Sequence, residues 1–397
     1  MSEHPTPGAL DGIRILDFTQ MMLGPFATQL LGDLGADVIK VERPGSGEWE
    51  RGLEMGGQLH HDTSAAFLAM NRNKRSLALD LKSDAARGIV LELAGSCDVV
   101  VENFRPGVMA RLGLGYEDFK DVKPDIIYCS GSGWGQQTRY ARENRPGQDL
   151  LVQAMSGLAA NAGSRGEPPV IAGSSVSDAT AALTLANGIL AALLARERHG
   201  IGQRVEVDLF HSTVAIMCQE IVAMNSRGEE FDRSDAGVAQ PWSSAPYGIY
   251  AATDGWVAIA MGSADRLAEA LDSPQLAAAD LWSERDAVKR QVDAIAAGLA
   301  ADELVERLLD AGLWAARVRT MKEAVDELRD DGSPLLVTVD DPQLGELELV
   351  GCPITLSETP SRVDRRPPHV GEHTTEILRG MLSEDRIDAL RAEGVIG

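Results

Sequence analysis

Residues 13–42 read IRILDFTQMMLGPFATQLLGDLGADVIKVE, and this stretch decides the fold. Ile13 to Asp17 is a short apolar run with the character of a buried strand. Gly24-Pro25 breaks the chain, and Phe26 to Leu34 continues with helical spacing. Asp37 to Val41 is a second strand-like run that ends at Glu42-Arg43. Strand, loop, helix and strand within about thirty residues make a βαβ unit.

The same alternation continues outward from this unit. Ser76 to Asp80 reads as a strand, and Ser83 caps a helix running to about Leu93. Asp98 to Glu102 and Asp125 to Ser130 are further strands, separated by a short helix over Tyr116 to Lys123. Such alternation predicts an α/β fold built on a Rossmann-like, doubly wound parallel sheet, with ligands at the carboxyl ends of its strands. Those ends carry Asp17-Phe18-Thr19-Gln20, Glu42-Arg43, Asn103-Phe104-Arg105 and Gly131-Ser132-Gly133-Trp134. Val205 to about Asn225 reads as a strand entry and a long helix, and the polar stretch 228–244 as a linker. A hairpin around Asp254-Gly255 and four helical patterns between Ala264 and Leu328 mark a smaller α+β domain. The expected organisation is a large domain over 1–227, a small one over 228–330, and a return linker with closing helices over 331–397.

Composition narrows the function classes. The chain has 397 residues, 44% of them hydrophobic and 24% charged, which suits a globular protein with a large core. A net charge of −23 opposes a nucleic-acid partner, so an anionic ligand would need a local basic pocket. Cys97, Cys129, Cys218 and Cys352 are scattered without a C-x-x-C pair, which predicts reduced thiols, no zinc site and a cytoplasmic protein. The amino-terminal residues lack the regions of a signal peptide. The apolar run from Ala179 to Ala195 falls short of the ~20 residues of a spanning helix, so no membrane association is expected.

The βαβ start raises a nicotinamide-dependent oxidoreductase, but its first loop has Gly24 alone where G-x-G-x-x-G is needed. A G-x-S-x-G elbow and a P-loop are absent. His60-His61-Asp62 reads as a solvated loop, and His211 as a packed helical histidine. Asn71-Arg72-Asn73-Lys74-Arg75 places three cations just before a strand. With Arg43 and Arg111 they could hold several phosphates if the fold joins their loops. Asp178 ends the Gly/Pro-rich stretch before the apolar run. Taken alone, it reads as a helix cap.

Several motifs stand in fixed order: Leu16-Asp17-Phe18-Thr19, Gly24-Pro25, Leu34 to Glu42, and Asn73-Lys74-Arg75-Ser76. Val101 to Gly107, Gln153 to Gly157 and Gly200 to Gln203 follow. In these the chain resembles the class III coenzyme A transferases, the family of formyl-CoA transferase and crotonobetaine/carnitine CoA transferase. The resemblance implies transfer of CoA from an acyl-CoA donor to a free carboxylic acid, with Asp178 as nucleophile and no permanent cofactor or metal. It implies CoA contacts at Arg43, Asn73, Lys74, Arg75, Asn103, Phe104 and Arg111, with Phe104 on the adenine. An interlocked homodimer is also implied. The related α-methylacyl-CoA racemases carry a Gly-His-Asp motif, where this chain has Gly147-Gln148-Asp149, and glutamine cannot exchange a proton near neutral pH. Met21-Met22-Leu23 in the first loop departs from formyl-CoA transferase, so oxalate/formate exchange is not implied. A non-catalytic CoA-binding protein would have lost its nucleophile, and Asp178 is present.

Overall fold

In the computed structural model, which describes residues 6–397, the first βαβ unit forms as strand β1 (Arg14–Asp17), helix α1 (Leu23–Asp33) and strand β2 (Asp37–Glu42). The helix starts earlier than expected and takes in Gly24-Pro25. Proline is tolerated in a first turn because the amides there have no intrahelical acceptor. Gly24 is required for a different reason: a Cβ on it would lie 2.3 Å from the Thr19 side chain.

Strands β3 (Lys74–Ala78), β4 (Val99–Glu102), β5 (Ile127–Ser132) and β6 (Arg204–Asp208) complete a parallel sheet in the order β3-β2-β1-β4-β5-β6. This is the doubly wound order, and its switch point lies between β1 and β4. Alternate side chains explain why it stays buried on both faces. Leu16, Ile39, Leu77, Val100 and Tyr128 join one core, which the closing residues Leu378, Ile387, Leu390 and Ile396 cover. Ile15, Val38, Val99, Val101 and Ile127 join the other, packed by α1 and by the long helix Val176–His199. That helix is longer than its apolar run, and its length and composition alone would suit a membrane span. Its buried positions Ala181, Ala182, Leu185, Ala186 and Ile189 make one stripe against the sheet. Gly188 lets it approach β6, since a Cβ there would lie 2.7 Å from Val205.

The chain divides into two compact units. One holds the residues up to Val152, Ser175–Ser212 and Asp331–Gly397; the other holds Gln153–Ser174 and Thr213–Asp330. The second unit therefore begins before the expected position 228 and includes a segment from the middle of the first domain's sequence. Its antiparallel sheet comprises β7 (Gly248–Ala252), β8 (Gly255–Ile259) and β9 (Ala315–Arg317). Tyr250, Val257, Leu267, Val292, Leu304 and Leu308 form its core with the surrounding helices. The hairpin β10 (Leu336–Asp341) and β11 (Gly345–Val350) belongs to the first unit and packs on Leu68.

Candidate active site

The parallel sheet points the ends of β1, β2, β4 and β5 the same way, and the switch point is closed by an amide clasp. Asn103 Oδ1 accepts from Gln20 N at 2.8 Å, and Asn103 Nδ2 donates to Gln20 O at 2.7 Å. Asn103 thus fastens the loops after β1 and β4 to each other. Phe104 is half-buried and packs against the sheet core, its amide donating to Glu102 Oε2 at 2.9 Å. Burial, together with the field of Glu206, pushes the Glu102 carboxyl up to about 7 against the hydrogen bonds from Ser130 and Phe104. A groove of about 150 Å³ opens here, lined by Asn103, Phe104, Arg105, Ser132, Trp134 and Arg145. Its wall depends on two facing glycines, since a Cβ on Gly133 would lie 2.4 Å from the Gly147 Cα.

Asp178 does not cap its helix. It lies within the first turn of Val176–His199, and Ser175 at the cap position makes no side-chain bond. The capping carboxylate comes from Asp149, whose Oδ1 accepts from Ser177 N at 2.8 Å and from Asp178 N at 3.2 Å. Among the described residues no hydrogen bond or ion pair engages the Asp178 carboxyl. Burial, followed by the charge of Asp149, pushes it up to about 7. Asp149 stood in the sequence beside Gln148, but only the missing histidine of that motif drew attention. Its capping role needs the fold, because it lies 29 positions from Asp178.

The basic cluster before β3, including Asn73, Lys74 and Arg75, from which CoA contacts were expected, is held in bonds within the fold. Arg72 pairs with Asp33 at 2.5 Å. Asn73 donates to Asp33 Oδ1 and Arg362 O, and its Oδ1 accepts from the amides of Asp364 and Arg365. Lys74 is fully buried and sends Nζ to Asp17 Oδ2 at 3.1 Å, Pro25 O at 3.0 Å and Asn71 Oδ1 at 2.9 Å. Burial lowers the Lys74 ammonium to about 8, even against the pull of Asp17. Arg75 pairs with Asp37 at 2.6 Å and Glu376 at 3.0 Å. Asn73 and Arg75 also lie at the amino end of β3, whereas Arg43 and Asn103 follow carboxyl ends. The fold does not bring the two sets together.

At the carboxyl side the cations are of another kind. Arg43, Lys82, Arg105 and Arg111 are exposed and, among the described residues, form no ion pair. Lys82 and Arg105 were not among the expected phosphate contacts. The signal that finds them is position after a strand end combined with lack of an acidic partner.

Residues 10–374 match the family described as CoA-transferase family III. The succinyl-CoA:glutarate CoA-transferase of Mus musculus is 34% identical over 98% of this chain and 90% of its own length. The succinyl-CoA:mesaconate CoA-transferase of Haloarcula hispanica is 35% identical over 94% of this chain and 96% of its own. A crystal structure of a CAIB/BAIF family protein from Brucella suis superposes with a TM-score of 0.80 at 28% identity, covering 94% of this chain and 99% of that one. The chain belongs to CoA-transferase family III. It is therefore a class III CoA-transferase.

Proposed function

We propose that the enzyme moves CoA from succinyl-CoA or a similar acyl-CoA to a free carboxylic acid by covalent catalysis at Asp178. The observation that carries this reading is the unengaged Asp178 carboxyl, part-buried on a first turn whose amides Asp149 already caps. A carboxylate in bulk water is a weak nucleophile, and removing its hydrogen-bonding partners raises its reactivity. Asp178 attacks the thioester carbonyl and CoA leaves as thiolate, giving a mixed anhydride. The thiolate then attacks the aspartyl carbonyl, releasing the first acid and leaving an aspartyl-CoA thioester. The acceptor carboxylate attacks that thioester to form a second anhydride, and the returning thiolate takes the new acyl group and frees Asp178. Gln148, in the place of the racemase histidine, disfavours α-proton exchange.

The unpaired rim cations support the CoA phosphates, and Phe104 offers a face to the adenine. The relatives' names direct the choice of donor, and the family resemblance carries an interlocked homodimer. The test is succinyl-CoA incubated with a panel of dicarboxylic and hydroxy acids, with new thioesters read by mass spectrometry. Formation of at least one new acyl-CoA is expected, and hydrolysis alone would count against transfer.

Two further outcomes follow from the electrostatics. Arg43→Ala and Arg111→Ala should each weaken CoA about tenfold at low salt, with a smaller loss at high salt. Arg75→Ala should leave CoA affinity intact, because its guanidinium is already held by Asp37 and Glu376. Calorimetric titration separates the two sets, and a loss at Arg75 alone would restore the first assignment. The transfer rate should also rise as pH increases through about 7, where Asp178 gives up its proton. A rate flat from about pH 6 to 8 would contradict that.

A further inference from the structure

Around the ends of β1 and β2 the protein buries an uneven set of charges. Four carboxyl groups, Asp17, Glu42, Glu48 and Glu50, share the interior with three cations, Lys40, Arg51 and Lys74, each less than 9% exposed. Lys74 meets Asp17 at 3.1 Å, and Lys40 meets Glu48 at 3.2 Å. Arg51 makes a two-point pair with Glu42, both contacts 2.7 Å. The neighbouring Arg72–Asp33 pair is closed on itself and adds no net charge. Glu50 is left over. It is 1% exposed, no cation pairs with it, and its Oε2 is enclosed without a hydrogen-bond partner. Glu48 also has oxygens short of hydrogen bonds, but an ammonium stands beside it. An unpaired carboxylate in such a place is strongly disfavoured, so the group keeps its proton instead.

This leftover acid lies within electrostatic reach of the reaction centre. Burial, then the charge of Glu48 and to a smaller extent that of Asp178, push the Glu50 carboxyl up to about 8 against the pull of Lys40 and Lys74. Both carboxyls are raised, and Glu50, buried with an oxygen that no group satisfies, holds the neutral form near neutral pH.

We propose that Glu50 is a positioning residue for the transfer reaction: a neutral carboxylic acid that keeps a second buried negative charge away from Asp178 and from the oxyanions formed there. The inference rests on the Asp178 reading. Each tetrahedral intermediate and the CoA thiolate are anionic, so they form more readily beside a neutral acid than beside a carboxylate. Loss of the Glu50 proton adds that opposing charge without removing any group that contacts the substrate.

The test pairs a pH profile with an infrared spectrum. In the wild-type enzyme kcat/KM for transfer should rise through about pH 7 and fall above about pH 8, by roughly tenfold per pH unit. Glu50→Gln keeps the shape and the neutrality but has no proton to lose. It should retain the rise and lose the fall. The wild-type spectrum near neutral pH should contain a protonated-carboxyl band that titrates away near pH 8 and is missing from Glu50→Gln. Glu102 and Asp178 also carry protons near pH 7, so the Glu50 band is the component that disappears in Glu50→Gln and, should that variant not fold, in Glu50→Leu. An unchanged falling limb in Glu50→Gln, or a wild-type spectrum without the band, overturns the proposal. Failure to trap an adduct at Asp178 overturns the nucleophile assignment instead, and the band reports on Glu50 independently of it.

Discussion

Asp178→Asn is expected to abolish CoA transfer and, at about pH 8, to unfold at a higher temperature than the wild-type enzyme. The amide keeps the shape of the side chain but has no anionic oxygen to form the anhydride, so the rate should fall by about 10⁴-fold or more. The stability gain follows from the raised pKa. In the folded protein Asp178 holds its proton up to about 7, against an ordinary value of 3.8. Between those limits the folded state binds the proton more tightly, so this group's stabilising contribution is lost as pH rises through that window. Partial solvent access reduces the full effect of that rise to about 1–2 kcal/mol. Thermal unfolding near pH 4 and pH 8 should show the variant's advantage only at the higher value. A variant that is inactive but also less stable at pH 8 would indicate a structural carboxylate.

Lys74→Met should be far more damaging to the fold than to the ligand site. The ammonium is fully buried against Asp17, whose carboxyl burial would raise but which Lys74, then Lys40, Thr19 and Thr28, hold below the ordinary range. Removing it leaves Asp17 charged and unpaired in the core, an expected loss of about 3–5 kcal/mol by denaturant unfolding. Asp17→Asn in the same chain should recover part of that loss, because it removes the stranded charge. The fraction that remains folded should bind CoA normally. Full stability with lost CoA affinity would return Lys74 to phosphate binding.

The contrast between Lys74 and Arg43 shows where the sequence stops informing. Ile13–Asp17 and Asp37–Val41 announce strands of a parallel, doubly wound sheet through the βαβ alternation, whereas the strand order is a finding of the structure. The helix start at Leu23 was misplaced by three residues, since Gly24-Pro25 looks like a break although a first turn accepts it. The expectation that Asn73, Lys74 and Arg75 contact CoA comes from the family resemblance and from the basic character of the stretch around them. Asn73 bonds to Asp33, Lys74 pairs with Asp17 and Arg75 with Asp37 and Glu376, all distant in sequence, so only the fold shows that these groups are already matched. The strand also begins at Lys74 instead of Ser76, which sets Asn73 and Arg75 at the amino end of the sheet. The nucleophile role of Asp178 is implied only by the family resemblance, and Asp149 on its helix amides gave no signal in the sequence. Glu50 carried no signal at all, because an isolated glutamate near Arg51 looks paired until Glu42 is seen to take the guanidinium.

Covalent chemistry at Asp178 is tested most directly by trapping. Enzyme mixed with succinyl-CoA and then treated with hydroxylamine should convert the aspartyl thioester to a hydroxamate, and peptide mapping by mass spectrometry should locate that modification on Asp178 alone. The Asp178→Asn protein, treated identically, should carry none. Turnover of the acyl-CoA with no modification at Asp178, or with the modification on another carboxyl group, would contradict the assignment of the nucleophile.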